Sequence, residues 1–375
     1  MDGFLGWLHI LVLMDDTVLL STTRFGMIEK LNFLNQFCDS HGMMVNTSKT
    51  KFYVINGSED DKEPMVVESM VVDLCEQYTY LGCIFTADGS ISNSIKAEAK
   101  ARMCHVLKFI SFVNKNNDVP FYIKKMIFQL ALLPTLTYGC ESWFNGDMKP
   151  MNKLYLWSIK QLLGVRKTTI TCVCLLELGL AEFHSLVKSN QRKFLSQVWA
   201  DRSDMVDDPL AYVMKLCFDN NTPTSRYIRD IIDNDTDDIA QSLEKLKNVI
   251  SISNSNRILV YKSINPDLGV HPIYSSKVKV NELDRVKWSR MRLSSHSLAV
   301  EVGRWNRRGR GRLPMEERLC TCGLIQTEQH VVEVCPRTVN IRTQWNISSL
   351  HNLLTERTDY SNVCHIVSLH LDTFK

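Results

Sequence analysis

The sequence of 375 residues is 45% hydrophobic and 23% charged, and its net charge at pH 7 is +3. This length allows two or three compact domains with a sizeable core, and the composition is that of an ordinary globular protein. The near-neutral balance excludes a strongly basic or acidic chain, so only local segments can indicate a charged partner.

An apolar segment near the start, FLGWLHILVL (4–13), has the composition of a secretory leader but lacks its other features. It follows Asp2 rather than a basic region, it stops at Asp15 without a cleavage site, and its ten residues are too few to span a bilayer. We therefore expect a nuclear or cytoplasmic protein without a membrane partner. In a reducing compartment the 12 cysteines are expected to be metal ligands or core thiols rather than disulfides.

Short apolar runs separated by polar loops predict strands with one helix in the first ninety residues. Two runs near the start predict a hairpin of buried strands, 7–14 and 17–21, with Asp15 and Asp16 at its tip. The elements predicted next are a helix at 26–41, a strand at 51–55, a polar loop at 56–64, and a strand in 77–92 that ends in an Asp88-Gly89 turn.

Helical periodicity predominates after residue 90, so we predict an α+β fold that is predominantly α. The predicted helices cover 92–113, 121–133, 147–163 and 186–200. Residues 201–260 are more polar, and the acidic run 230–240 is expected to be a solvated face or loop. Residues 285–312 reverse the charge, with nine Lys or Arg against the single acid Glu301.

Two adjacent carboxylates at a hairpin tip repel each other unless a cation neutralises them. Mg²⁺ is commonly held by one or two carboxylates together with substrate phosphates, and paired ions stabilise both the attacking and the leaving oxygen in phosphoryl transfer. Asp15 and Asp16 are therefore candidate magnesium ligands. The alternative is an exposed turn that happens to carry two acids.

The motif LMDDTVLLS (13–21), followed by a predicted helix, HGMMVNTSKTKFYVI (41–55) and YTYLGCIFTADG (78–89), resembles the later palm motifs of reverse transcriptases from non-LTR (LINE-like) retrotransposons. LYLWSIKQLLGVR and CTCGLIQTEQHVVEVC resemble the thumb and C-terminal regions of the same family. The resemblance implies a palm-like sheet remnant at 1–90, a helical thumb at 91–200, a connector at 201–284, a basic stretch with a zinc knuckle at 285–340, and a tail at 341–375.

The resemblance also implies roles for individual residues. Asp15 would be the main Mg²⁺ ligand and Asp16 the supporting one, although Leu13 stands where the family has an aromatic residue. Lys49 would lie near the phosphates of the incoming nucleotide and neutralise the leaving pyrophosphate. Tyr80 and Gly82 match the turn that holds the primer strand. For Lys49 the alternative is an ordinary surface lysine, and for Gly82 a strand with a glycine bulge.

Two basic segments are candidate nucleic-acid contacts. In the predicted thumb, Lys96 and Lys100, together with Arg102, Lys108, Lys124 and Lys125, would contact phosphates, unless they form a solvated helix face. The second segment is GRWNRRGRGR (303–312), in which Trp305 is expected to stack on an unpaired base. A nuclear-localisation signal and a solvated loop are the alternatives. The residues of segment 303–312 that would contact phosphates are Arg304, Arg307, Arg308, Arg310 and Arg312.

A cluster of the form C-x-C-x₇-H-x₄-C ends the basic stretch. Thiolate and imidazole ligands suit tetrahedral zinc, and the candidate ligands are Cys320, Cys322, His330 and Cys335. The one-residue first spacing is tighter than usual, so buried free thiols are the alternative. Cys364 and His365 form a spare pair that could substitute. The pair Cys172 and Cys174 is predicted to be core on an apolar helix or strand.

Together these features predict a truncated reverse transcriptase, an RNA-directed DNA polymerase, with Mg²⁺ and Zn²⁺ as cofactors. Its partners would be RNA and DNA as template and primer, with deoxynucleotides as substrates of the intact enzyme. The family's first catalytic aspartate and its fingers would lie upstream, so we expect the chain alone to be inactive. The alternatives are a non-enzymatic nucleic-acid-binding protein derived from the element's tail and a decayed product without function.

Overall fold

The structure, a computed structural model, describes residues 10–68, 70–202, 221–234, 236–274, 279–305 and 311–374. Helices predominate over three small sheets, which confirms the predicted α+β, predominantly α class. The chain divides into two compact units. The first comprises Met1–Ala101, Thr137–Met151 and Val187–Thr236, and the second comprises Arg102–Leu136, Asn152–Leu186 and Asp237–Lys375.

The first unit begins with the predicted hairpin. Strands β1 (Ile10–Leu13) and β2 (Asp16–Leu19) pair antiparallel, and Leu13 lies opposite Asp16. The prediction that these strands are buried was wrong for β1, whose side chains all face solvent, with Val12 60% exposed. In β2, Val18 and Leu19 are half-buried, and Leu19 packs against the core cluster of the first unit. In the described part of the chain β1 and β2 pair only with each other, so the outer edges of the hairpin have no partner strand there.

A three-stranded sheet forms the core of the first unit against helix α1 (Arg24–Ser40). Its order is β3 (Lys51–Phe52), β5 (Met70–Leu74), β4 (Met65–Val67), with β3 and β5 parallel and β4 and β5 antiparallel. Strand β3 is shorter than the predicted 51–55, and β4 and β5 were not predicted. Alternation places the apolar side chains on one face, where they pack on Leu31 of α1: Phe52, Met65, Val67, Met70 and Val72.

The segment predicted as a strand in 77–92 is a hairpin of β6 (Gln77–Tyr80) and β7 (Cys83–Thr86). Leu81 and Gly82 both have positive φ, 48° and 76°, as a two-residue type I′ turn requires. The Tyr138 hydroxyl donates to the Leu81 carbonyl at 2.8 Å. A Cβ on Gly82 would lie 3.2 Å from the Tyr138 ring, so glycine suits both the φ and the space.

The predicted helices are present. Helix α2 (Ile91–Lys115) is followed by α3 (Phe121–Ile127), a π-helical turn (Phe128–Leu132) and α4 (Leu133–Thr137). Helices α5 (Lys149–Leu163), α6 (Thr171–Leu178) and α7 (Phe183–Arg202) follow. Both Cys172 and Cys174 lie in α6, and Cys174 is buried, as predicted for a core helix.

The remaining helices come from the polar and basic parts of the chain. They are α8 (Pro223–Asp233), α9 (Asp238–Ile252), α10 (Asn256–Ile264), α11 (Glu282–Arg292), α12 (Ala299–Val302), α13 (Val339–Trp345) and α14 (Tyr360–Asp372). The prediction of a solvated 230–240 segment was wrong in part, because Ile231 and Asp238 are buried. Ile231 belongs to the apolar face by which α8 packs on Leu195 and Val198 of α7.

Aromatic side chains run through the core of the second unit. The ring centroids of Phe109 and Phe128 are 5.9 Å apart, those of Phe128 and Tyr155 6.0 Å, and those of Tyr155 and Phe183 5.4 Å. The Tyr155 hydroxyl donates to the Ala181 carbonyl at 2.8 Å, which satisfies its polar atom.

Within the described ranges, every helix is too short or too polar to cross a bilayer.

Candidate metal centre

The four predicted zinc ligands lie together in the second unit. One ligand atom from each of Cys320, Cys322, His330 and Cys335 lies within 4.8 Å of all the others. The Cys320 and Cys335 sulfurs are 3.8 Å apart, and Cys322 Sγ lies 3.3 Å from His330 Nε2. Two thiolates on a tetrahedral zinc, each at about 2.3 Å, are separated by about 3.8 Å. The cluster therefore has the dimensions of a site for a metal ion such as zinc.

A tight turn presents the first two cysteines. The Gly323 N–H donates to the Cys320 carbonyl at 2.9 Å, and Gly323 has φ +90°, a conformation open to glycine. The Cys320 N–H donates to the Leu324 carbonyl at 2.7 Å, and Leu319 bridges Ile325 antiparallel. This compact loop allows the tight C-x-C spacing, because it turns the chain directly after Cys322.

A π-helical turn, His330–Val334, presents the other two ligands. Thr327 Oγ1 accepts the His330 N–H at 3.0 Å, and the Cys335 N–H donates to the His330 carbonyl at 2.9 Å. A π-helical turn holds more residues than an α-helical turn, so Cys335 lies on the same side as His330 although four residues separate them. Cys320, His330 and Cys335 are buried and Cys322 is half-buried, so an ion would be largely shielded from solvent.

The two buried thiols of the cluster, Cys320 and Cys335, differ in how readily they lose a proton. Burial alone would raise the pKa of Cys320, but the Cys322 N–H and hydrogen bonds with His330, Cys322 and Cys335 outweigh it and lower this pKa to about 6. Burial, together with the neighbouring Cys320, raises the pKa of Cys335 to about 11. Metal binding requires deprotonated thiols, so a bound cation would displace the protons of these cysteines.

A buried polar pair anchors the loop between the cysteines and His330. His296 Nε2 lies 2.8 Å from Glu328 Oε1, and Ser294 Oγ donates to the same oxygen at 3.2 Å. Burial raises the pKa of Glu328, but the interaction with His296 and the hydrogen bonds to the carboxylate, including that from Ser294, together hold this pKa below its usual range. The spare pair predicted from sequence is not part of the site: Cys364 is buried in α14, and neither it nor His365 joins the four-residue cluster.

The predicted magnesium ligands lie at the exposed tip of the first hairpin. Asp15 is in the turn beside Met14, which has φ 55°, and Asp16 begins β2. In the described part of the chain no third Cys, His, Asp or Glu comes close enough to share an ion with them. Lys49 is also exposed, and its N–H donates to the Asn46 carbonyl at 3.1 Å.

The predicted thumb cations differ in their exposure to solvent. Lys96, Lys100 and Lys108 are exposed on α2, as phosphate contact would require. The prediction was wrong for Arg102 and Lys124, which are buried and bonded within the fold. Arg102 donates to the Leu136 carbonyl at 3.3 Å, and Lys124 Nζ lies 3.1 Å from Glu282 Oε1. Lys125 is half-buried and donates to the Leu178 carbonyl at 3.0 Å.

The basic stretch is also only partly available for binding. Arg285 and Arg292 are buried: Arg285 pairs with Glu282 at 2.8 Å and Arg292 with Glu177 at 2.6 Å. In α11 these guanidinium groups therefore neutralise buried carboxylates and do not add to a basic surface. Sequence analysis missed both carboxylates, since neither Glu177 nor Glu282 belongs to a local pattern.

The second half of the basic stretch borders a cavity. Arg304, Trp305 and Arg312 line it together with Arg257, a residue that sequence analysis did not single out. Trp305 is half-buried, and the Arg166 guanidinium lies 5.7 Å from the centre of its ring. The indole therefore already has a cation–π contact within the protein. The predicted contacts Arg307, Arg308 and Arg310 lie outside the described residues.

Comparison with protein-family models, with curated proteins and with solved structures gives no match. The strongest functional feature of the described residues is therefore the Cys₃His cluster.

Proposed function

We propose that this chain is the C-terminal part of a non-LTR retrotransposon reverse transcriptase whose zinc-bound tail holds RNA or DNA. The observation that carries the proposal is the Cys₃His cluster, with its 3.8 Å sulfur separation, directly after a basic segment. Zinc held by Cys320, Cys322, His330 and Cys335 would fix the fold of residues 320–335, because structural zinc contributes folding energy outright.

Hydrogen bonds between the knuckle and the start of the basic segment support a common module. The Val300 N–H donates to the Gln326 carbonyl at 3.2 Å, and Arg318 Nη1 donates to the Val300 carbonyl at 3.0 Å. Ordering of the knuckle would therefore also order α12 and the arginines that follow it. In this proposal the zinc acts structurally, and the arginines supply the phosphate contacts.

A non-enzymatic nucleic-acid-binding protein is the second candidate. This candidate is supported by the incomplete metal site at the hairpin tip, because Asp15 and Asp16 have no third ligand within the described residues. Both candidates require binding to nucleic acid, and they differ in whether an intact form of the chain carries out DNA synthesis on an RNA template with Mg²⁺.

Fluorescence anisotropy with a labelled single-stranded RNA tests the shared requirement. If four or five arginines of the 304–312 segment contact phosphates, the log–log dependence of affinity on salt should have a slope on the order of −3. Replacing all five arginines with Gln should flatten the slope, and Cys322→Ser with His330→Ala should weaken binding as well. The replaced residues are Arg304, Arg307, Arg308, Arg310 and Arg312.

The matched comparison is a variant with Lys96, Lys100 and Lys108 replaced by Gln. Binding through the predicted thumb would be lost in this variant and would survive the arginine changes. An affinity that neither variant set alters would contradict the proposal, because no phosphate contact would then lie in either basic segment.

A further inference from the structure

The basic cavity of the second unit has the charge and size of a small anion site. Its volume is about 390 Å³, and its wall includes three arginines, Arg257, Arg304 and Arg312, with Trp305 beside them. Thr168 and Ser255 add two hydroxyl groups to the lining. Cavities of roughly 300–1,000 Å³ are the usual size of small-molecule sites.

Two of the three arginines share one carboxylate. The buried Glu301 forms ion pairs with Arg257 Nη2 and, at 2.8 Å, with Arg304 Nε. Arg312 is exposed and has no carboxylate partner among the described residues. Three cations and one anion leave the cavity with a formal charge of +2, which matches a dianion better than a monoanion.

Buried donors without acceptors support the same ligand. Arg257 Nε and Trp305 Nε1 are buried and have no hydrogen-bond partner in the described part of the protein. Leaving a buried donor unpaired is costly, and an anion in the cavity would supply the missing acceptor. Arginine is also the side chain best suited to phosphate, because its planar fork can bond two oxygens at once.

The surroundings of the cavity add further positive charge. Arg166 lies against the Trp305 ring, and the buried Arg318 lies nearby. Arg318 Nε donates to the Leu313 carbonyl at 3.1 Å, next to Arg312 in the chain. An anion between these cations would relieve their mutual repulsion.

We infer that this cavity binds the dianionic terminal phosphate of a nucleotide or of a nucleic-acid strand, with Arg257, Arg304 and Arg312 around it and the Trp305 indole N–H as a further donor. The inference rests on the proposed function for its nucleic-acid partner and adds the recognition of a strand end. A phosphodiester within a strand carries one negative charge, whereas a terminal phosphate carries nearly two at pH 7, so the end is favoured.

The inference is tested by measuring, with fluorescence anisotropy, the affinity of the full chain for two labelled oligo-dT strands of equal length. One strand carries a 5′-phosphate and the other a 5′-hydroxyl. The phosphorylated strand should bind about tenfold more tightly, as expected for one charge-assisted contact. Arg312→Gln should remove the preference without unfolding the protein, because Arg312 is exposed. Trp305→Phe keeps an aromatic ring at this position but lacks the indole N–H, and it should reduce the preference.

Lys153→Gln is the matched control, since Lys153 is an exposed cation of the same unit in α5, outside the cavity lining. The preference should survive in this variant. Competition by adenosine monophosphate but not by adenosine would show that free nucleotides also enter the cavity.

Two results separate this inference from the proposed function. Equal, salt-dependent affinity for both strands, or a 5′-phosphate preference that survives Arg312→Gln, would overturn the inference and leave nucleic-acid binding intact. If neither strand binds but calorimetry shows that adenosine monophosphate does, and Arg312→Gln abolishes this, the phosphate site stands and the proposed nucleic-acid function fails. If calorimetry shows no binding either, the inference fails as well.

Discussion

Arg292 Nε donates to Glu177 Oε1 at 2.6 Å, and both side chains are buried. The two residues are 115 positions apart in the sequence. Glu177 also accepts a hydrogen bond from the Tyr261 hydroxyl at 2.7 Å, so its second oxygen is satisfied too. This pair joins α6 to α11 and explains why part of the basic stretch is core rather than a binding surface.

We expect Arg292→Met to lower the free energy of unfolding by about 3–5 kcal/mol, because it leaves the Glu177 carboxylate buried without its cation. Lys51→Met is the control, since the side chains of the Lys51–Asp73 pair are 28% and 59% exposed and the pair should contribute less than about 1 kcal/mol. Urea denaturation of the two variants measures both. Equal losses would contradict the assignment of Arg292 to the core.

His271 should make the stability of the protein depend on pH. Its Nδ1 accepts the Ile273 N–H at 3.2 Å, which requires an unprotonated nitrogen, and its ring lies 4.7 Å from that of Trp288. Burial, followed by the charge of Arg292, lowers the pKa of His271 from 6.5 to about 3. Below pH 6.5 the unfolded chain therefore takes up a proton that the folded chain does not, and stability falls as the pH falls towards 3.

Between pH 7 and pH 5 this proton uptake by the unfolded chain lowers the free energy of unfolding by about 2 kcal/mol, because one proton corresponds to about 1.4 kcal/mol per pH unit. The variant His271→Phe should lack that share of the pH dependence, whereas replacement of the exposed His365 should leave it in place. Denaturation midpoints at the two pH values test this. A pH dependence identical in the wild type and in His271→Phe would contradict a buried, neutral His271.

The purified chain, given a primed RNA template, Mg²⁺ and deoxynucleotides, should show no primer extension. Asp15 and Asp16 stand on an exposed hairpin without a third ligand in the described residues, and two-metal transfer requires a more complete set of carboxylates. Gel analysis of a labelled primer measures extension. Template-dependent extension that Asp15→Ala abolishes would contradict this prediction.

The helices and the metal ligands were the features that the sequence predicted best. Amphipathic periodicity over long segments determines elements such as α2, and the C-x-C-x₇-H-x₄-C spacing identifies all four clustered ligands without any long-range information. Strands β4 and β5 were missed although both contain the run Met-Val-Val. The turn between them includes Glu68 at φ 52° and no glycine, so it lacks the usual hairpin signature.

The burial of charged residues could not be predicted locally. Arg285 and Arg292 belong to the same run of positive charge as the arginines that follow, and their burial is explained by their ion pairs with Glu282 and Glu177. The exposure of the first hairpin was missed for the same kind of reason. An apolar run predicts burial only if another element covers it, and in the described residues nothing pairs with β1 except β2.

Metal analysis of protein produced in zinc-supplemented medium tests the central claim most directly. The wild type should carry about one equivalent of zinc, bound in a single four-ligand site. Cys322→Ser combined with His330→Ala should lose the zinc, whereas the control Cys364→Ser should retain it, because Cys364 lies outside the cluster. Zinc content that is absent from the wild type, or unchanged in the double variant, would contradict a zinc site at Cys320, Cys322, His330 and Cys335.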